Sequence, residues 1–420
     1  MAMVDPSRPT PPEAPWQGRT VVSLIMGHLA SSPRVQKQAR ALREAGARVL
    51  VRGNWLDPRL AQEDLSLARE LDIDFAAVTD LRPGRRDLGD RLRHRLAHEG
   101  FKRIGLFSSR ILGPGAPELW RYAAGQPSDL VTVHSEPGLW VAKRLLGAGK
   151  RIVVDFEDWF SEDQLPSDRS PAVRGRLRQL EMLLLHRAHG CLAPTEAMAS
   201  ALAESAGTDR RPTVVRNCFP AAPVEDRPSS RVPGPVSFYW FSQTIGPGRG
   251  LEVLASALPQ LRGEWNLYLR GAMRGYGSWF DTVFGGATRS RVHVLPPVPN
   301  DALLAANRQH AVGLALEAPY CRNKELTASN KIHEYMRAGA AVIATRTAGQ
   351  VEVMAASPGA GLLVEPGDAT GLAAAMQALI DSPEKLAACR QSALTASREV
   401  WDWSMHAPRL LDALERAMGK

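Results

Sequence analysis

Short runs of apolar, β-branched residues alternate with stretches of helical periodicity along almost the whole chain, and this alternation restricts the fold more than any other feature. The first such unit is TVVSLIM (20–26), a loop GHLAS, and a helix in SPRVQKQARALREAG, closed by a second buried strand ARVLVRG (47–53). Ser32 is placed to cap that helix, Pro33 to occupy its first position and Gly46 to stop it. Val35, Ala39, Leu42 and Ala45 share one helical face. A strand, helix and strand joined in this way seed a parallel sheet. DIDFAAV (72–78), DLVTVH (129–134), RIVVDFED (151–158), GCLAP (190–194) and PTVVRN (212–217) extend the series, with a helix near 138–148. Between 219 and 235 the text FPAAPVEDRPSSRVPGP carries five prolines and reads as a linker. The alternation then restarts with VSFYWFS (236–242), EWNLYLRG (264–271), RVHVLPP (291–297), HAVGLAL (310–316), AAVIATR (340–346) and GLLVEP (361–366), and helices finish the chain. The expected fold class is α/β, two doubly wound parallel-sheet domains facing across a cleft. The expected limits are a loose arm at 1–19, a first domain at 20–218, the 219–235 linker, a second domain at 236–400 and a closing helix at 401–420.

With 420 residues, 44% of them apolar and 23% charged, the chain can bury large cores without staples. No stretch reaches the roughly 18 apolar residues of a membrane span. The first twenty residues are Pro-rich without an apolar run, so no secretory signal is expected. Cys191, Cys218, Cys321 and Cys389 lie far apart, without zinc spacing, and read as reduced cytosolic thiols. The first strand leads into GHLASSP rather than GxGxxG, and Gly147, Gly149 and Lys150 are followed by Arg151, so neither dinucleotide nor P-loop chemistry is supported. Asp72 and Asp74 have the Asp-x-Asp spacing that can hold a cation and diphosphate, or simply mark the start of a strand.

The segment SNKIHEYMRAGAAVIATRTAGQVEVM (329–354) is the most informative. Ser329 or Asn330 can cap a helix with Lys331 in its first turn and Glu334 in its second, and Gly339 ends it before the next strand. Such a helix N-terminus offers free N–H groups and a positive dipole end to a phosphate. Glu334 is placed to accept hydrogen bonds from ribose hydroxyls; the other reading makes both residues solvated helix positions.

This segment, with Lys331, Glu334–Met336, Gly339, Gly349 and Glu352, resembles the donor-binding half of GT-B glycosyltransferases, especially the retaining glycosyltransferase family four. That resemblance implies two Rossmann-like domains and a glycosyltransferase of hexosyltransferase type. SFYWFSQTIGPGRGLEVLASALPQL (237–261) is similar to the family's RGLE stretch. It implies that Arg249 pairs with the donor diphosphate and that Gly246, Gly248 and Gly250 let backbone approach it. With Asn330, Lys331 and Glu334 these form the expected donor-binding set. DLVTVHSEPG resembles the family's D-x-x-x-x-H stretch, which makes His134 the leading polar residue facing the reacting sugar, beside Arg249, Lys331 and Glu334 as catalytic candidates. The opening SSPRVQKQARALREAG and the segment RIVVDFEDWFSED place Ser32, Arg34, Glu136, Asp155, Glu157 and Asp158 as acceptor-side candidates. In one respect the sequence departs: the family's E-x7-E pair would need a glutamate at 326, where Leu326 stands, with Glu325 one position away in the irregular stretch 318–328. Either the loop carries an extra residue, or Asn323, Lys324 and backbone groups hold the sugar. Trp401 and Trp403 resemble the family's closing helix, which crosses back onto the first domain, and read as packing anchors.

The net charge is 52 − 44 = +8. Between 82 and 110 nine Lys/Arg face three acids, so +6 of it lies there. The bases alternate with Leu, Ile and Phe at roughly helical spacing, which suits an anionic membrane surface, a phosphorylated acceptor or a solvated helix face. No nucleic-acid recognition pattern accompanies them, so no nucleic-acid partner is expected.

Taken together, the reading is transfer of a sugar from a nucleoside diphosphate sugar to an acceptor hydroxyl, with no cofactor and no metal. Closure about the linker would align the substrates. Retention is implied by the resemblance. The partners are the donor and a glycan, lipid-linked or small-molecule acceptor, in bacterial polysaccharide, glycolipid or natural-product glycosylation, favouring the first. The location expected is cytoplasmic, peripheral on the inner membrane face. The rivals are a nucleotide-sugar epimerase of the same fold, a non-catalytic sugar-nucleotide or glycan-binding protein, and a membrane or nucleic-acid adaptor.

Overall fold

The computed structural model describes residues 15–83, 88–164, 170–222 and 234–419. Most of the expected arm and linker, and Arg85, Arg86 and Asp87 of the basic stretch, lie outside the described residues. Every strand expected from the alternation is present. The first sheet contains β1 (Thr20–Leu24), β2 (Arg48–Trp55), β3 (Asp74–Asp80), β4 (Leu130–Val133), β5 (Ile152–Asp155), β6 (Gly190–Ala193) and β7 (Thr213–Val214) in the order β3-β2-β1-β4-β5-β6-β7. The second contains β8 (Val236–Thr244), β9 (Trp265–Ala272), β10 (Val292–Leu295), β11 (Val312–Ala315), β12 (Ala341–Thr345) and β13 (Gly361–Val364) in the order β10-β9-β8-β11-β12-β13. The pairings of β1 to β6 and of β8 to β13 are parallel. In both sheets the winding reverses beside the opening strand, between β1 and β4 and between β8 and β11. Ligands of open parallel sheets sit at the carboxyl ends of the strands at such a reversal.

The helices that accompany the first sheet are α1 (Pro33–Glu44), α2 (Pro58–Glu70), α3 (Leu88–Ile104), α4 (Ala116–Gly125), α5 (Ser135–Gly147), α6 (Pro171–Arg187) and α7 (Glu196–Ala206). With the second come α8 (Leu251–Ala257), α9 (Gly277–Phe284), α10 (Leu303–Asn307), α11 (Arg322–Leu326), α12 (Asn330–Ala338), α13 (Ala348–Ala355), α14 (Ala369–Ile380), α15 (Pro383–Glu399) and α16 (Trp403–Ala417). α11 corrects the irregular stretch expected at 318–328: Arg322–Leu326 coil into one short helix. β4 and β5 are buried at every position, as strands covered on both faces must be. In the second sheet Phe238, Trp240, Leu267, Leu269, Leu314 and Ile343 bury one face against Leu251, Leu254, Leu372 and Met376.

The chain divides into two compact units, one of Met1–Glu157, Gly175–Leu192 and Arg409–Lys420, the other of Asp158–Arg174 and Ala193–Pro408. The division interleaves the chain instead of cutting it once near the linker. Hydrogen bonds inside the second unit explain why. Trp159 N donates to Asn323 Oδ1 at 2.9 Å, Thr195 Oγ1 to Leu326 O at 2.6 Å, and Glu196 N and Ala197 N to the Glu352 carboxylate at 2.9 and 2.6 Å. The end of α16 falls in the first unit, where Arg151 Nη1 donates to Ala417 O at 3.3 Å. Pro408 stands inside α16 where the units divide. Trp401 and Trp403 are buried, and Trp401 Nε1 donates to Ser357 Oγ at 2.7 Å. All four cysteines are free. No helix among the described residues is long and apolar enough to cross a membrane.

Candidate functional site

At the first reversal, the carboxyl ends of β1, β4 and β5 and the start of α1 bring four polar side chains into the interior. Arg34 grips Asp155 with two parallel bonds, Nε to Oδ2 at 2.7 Å and Nη2 to Oδ1 at 2.9 Å, and Gln38 Nε2 adds a third at 2.5 Å. Burial alone would raise the Asp155 carboxyl, but the Arg34 charge, His134 and these hydrogen bonds outweigh it and hold the group below its ordinary range. His134 stands between β4 and α5, only 2% exposed, with Nδ1 3.7 Å from Asp155 Oδ2. Neither ring nitrogen has a hydrogen-bond partner among the described residues. Burial and the Arg34 charge push its pKa down to about 4 against the pull of Asp155, so the ring is neutral at neutral pH, with one donor and one acceptor unspent. The next residue, Ser135, adopts a left-handed φ of 68°, which costs a non-glycine residue about 1 kcal/mol or more.

Of the other acceptor-side candidates, Ser32 sits at the N-cap position of α1, yet its hydroxyl donates to His28 O at 2.9 Å instead of capping. His28 is itself fixed, Nδ1 bonding Asp64 at 2.7 Å while Nε2 accepts from Leu56 N and Asp57 N. Glu136 lies in the first turn of α5 and Glu157 just beyond β5, both half-buried. Asp158 falls in the second unit, where it accepts from Asn323 Nδ2 at 2.7 Å. Asp72 and Asp74 lie at the amino end of β3, away from the strand ends where ligands sit, and pair with Arg43 and Arg52.

At the second reversal the groups are more open. The turn after β8 runs through Gly246, Gly248, Arg249 and Gly250 into α8. Gly250 has φ 77°, and a Cβ there would lie 2.9 Å from Leu316 Cβ; at Gly246 it would lie 2.7 Å from the Tyr276 ring. Backbone alone fits. Arg249 is exposed and donates to Ser242 Oγ at 3.1 Å. Burial raises the Tyr320 hydroxyl above its usual pKa, and the Lys324 and Arg249 charges pull against it, which ties the turn after β8 to the loop after β11. α12 opens as the sequence predicts, with Ser329 accepting from Lys331 N and Gly339 closing it at φ 71°. Asn330 Oδ1 accepts from Asn217. Lys331 Nζ donates to Glu317 Oε1 at 2.9 Å and to Ser329 Oγ at 3.3 Å. Burial works against the Glu317 charge, but Lys331 and, more weakly, Lys324 lower its pKa. Glu334 is buried, with Arg337 Nη1 3.7 Å from its Oε2.

Glu317 is the residue that sequence reasoning missed. Its position just after the strand expected at 310–316 was the available signal. Asn323 is a further correction. It is fully buried, donating to Asp158 and Asp163 and accepting from Trp159 N, so it has no group left for a sugar. Glu325 Oε1 accepts from Ala348 N at 3.1 Å and caps α13. Glu352 likewise caps α7 and binds Arg216 at 2.5 Å.

Two family profiles match the chain: "Glycosyl transferase 4-like domain" over residues 30–218 and "Glycosyl transferases group 1" over 238–382. No curated protein sequence matches it significantly. Among solved structures, the chain is similar to Anabaena HepE in complex with UDP and glucose, with TM-score 0.69 at 18% identity over 94% of this chain and 99% of that one. It is similar to sucrose-phosphate synthase of Thermosynechococcus elongatus, with TM-score 0.69 at 14% identity over 94% and 98%. A putative UDP-N-acetylglucosamine 2-epimerase of Listeria monocytogenes matches with TM-score 0.60 at 15% identity over 94% and 95%. With one profile on each sheet domain and the reversed winding of both sheets, the chain has the GT-B fold and is a glycosyltransferase, its first domain glycosyl transferase 4-like and its second matching glycosyl transferases group 1.

Proposed function

We propose that the protein transfers a sugar from a nucleoside diphosphate sugar to an acceptor hydroxyl with retention, taking the donor at the second reversal. The observation that carries this reading is the pairing of a glycine turn that admits backbone alone, at Gly246 and Gly250, with the exposed Arg249. Charge builds on the diphosphate as the glycosidic bond breaks. Arg249, Lys331 and the N–H groups opening α12 are the donors that would stabilise it, a role that needs no metal. Glu334 is read as the ribose contact, and His134 as a neutral group that orients a hydroxyl of the reacting sugar. HepE, solved with UDP and with UDP-glucose, makes a uridine donor the first to try. The reading extends to a hexosyl group, to polysaccharide, glycolipid or natural-product acceptors, and to a cytoplasmic site of action on the inner face of an anionic membrane.

A thermal-shift screen against UDP, GDP, dTDP, ADP and CMP and their sugars tests it, because a ligand that binds only the native state raises Tm. One nucleoside diphosphate is expected to raise Tm, in EDTA as well as without it, and Arg249→Ala to abolish the shift. No shift from any of them contradicts the donor reading. The likeness to a putative 2-epimerase supports a second reading, epimerisation of the donor. Conversion of the nucleotide sugar without any acceptor would select it.

A further inference from the structure

We propose that the outward face of α3 and the turn that follows it form an interfacial surface that seats the first unit on an anionic lipid bilayer. The inference rests on the proposed transferase working at a membrane, and it names the residues that make the contact.

Of the eleven large apolar side chains exposed among the described residues, four fall between 92 and 106: Leu92 at 56%, Leu96 at 61%, Ile104 at 76% and Leu106 at 64%. On α3 the 3.6-residue period puts Leu92, Leu96 and Arg103 on one line, with Arg95 and Lys102 to one side and Arg93 to the other. Arg93, Arg95, Lys102 and Arg103 are all exposed. The inner side carries His94, Ala97, His98 and Phe101, half-buried, with the His94 and His98 rings edge to face at 4.6 Å. Burial first, then the neighbouring His98, lowers the His94 pKa below the usual histidine value. Glu99 is spent on Arg103 at 3.3 Å.

A face turned only to water has no use for four leucine and isoleucine side chains each more than half exposed. Leucines flanked by Arg and Lys match the two layers of a membrane surface: acyl boundary for the apolar tips, lipid phosphates for the cations, whose stems lie along the leucines. RNA would satisfy the cations and leave the leucines in water. The helix lies on the surface and does not cross it, because five Lys/Arg are spread over its 17 residues.

Co-sedimentation with phosphatidylcholine vesicles, with and without one part in three of phosphatidylglycerol, tests the proposal. The protein is expected to bind the anionic vesicles and not the neutral ones. R95E/K102E should lower that binding by about tenfold or more, since each basic residue near such a surface contributes roughly a fivefold factor. Leu92→Ser with Leu96→Ser should lower the binding that survives high salt. Because these side chains are exposed, all variants should melt like the parent. Equal sedimentation with both vesicle types, or double variants that bind like the parent, overturns the proposal. So does tight binding to an RNA homopolymer that the leucine variant retains. The nucleoside diphosphate melting shift, read on the same preparations, separates the two readings: vesicle binding lost with the shift intact removes only the membrane inference, and the converse removes only the donor reading.

Discussion

The two sheet reversals have the same topology and opposite character. At the first, Arg34, Gln38 and Asp155 satisfy one another inside the fold, with a neutral His134 buried beside them, its ring nitrogens unspent. At the second, Arg249 is exposed, and Lys331 leans on a half-buried Glu317 that a ligand phosphate could replace. One strand order thus supports a buried polar cluster in one case and a more exposed pair of cations in the other. The difference comes from the residues that follow the strands: a long guanidinium reaching back from α1 in the first, a glycine turn in the second.

That contrast breaks most clearly at Arg34. Arg34→Met removes one partner of a buried, bidentate pair and leaves the Asp155 carboxylate stranded, at a cost of about 3–5 kcal/mol; thermal or urea unfolding should show a large loss with no comparable effect from Arg249→Ala. Acid sharpens the comparison, because each unit also buries a histidine with its pKa pushed down to about 4, His134 in the first and His310 in the second, chiefly by burial. In the unfolded chain these groups take up a proton near 6.5, while the native rings resist it. Stability is therefore unaffected by them above that pH and falls as pH drops from about 6.5 to about 4, by roughly 3 kcal/mol for each ring. Urea midpoints across that range should fall less steeply in His134→Gln and in His310→Gln. A smaller effect is expected at Gly250, where Ala must accept a left-handed φ and crowd Leu316: about 1–3 kcal/mol of stability, together with weaker nucleotide binding.

The alternation of apolar and helical text was enough to place every strand, because burial on both faces of a parallel sheet leaves a continuous apolar run in the sequence. Ser329, Gly339 and Pro33 marked helix ends through local chemistry and were legible for that reason. Partner choice was not. Glu325 and Glu352, read as motif positions, cap α13 and α7, which only the packing of those helices can reveal. Asn323 looked available to a sugar because its partners, Asp158 and Asp163, stand 165 and 160 positions away. Glu317 escaped notice because its meaning depends on Lys331, which another element delivers.

The most direct test titrates the nucleoside diphosphate that gives the largest melting shift into the parent protein, Arg249→Ala and Lys331→Ala by calorimetry. Loss of one charge-assisted contact costs about 1.5–3 kcal/mol, so affinity should fall by roughly ten- to a hundredfold in Arg249→Ala with Tm unchanged, and Lys331→Ala, which also strips Glu317 of its partner, should lose affinity as well. Unaltered affinity in both variants would place the donor elsewhere and contradict the account.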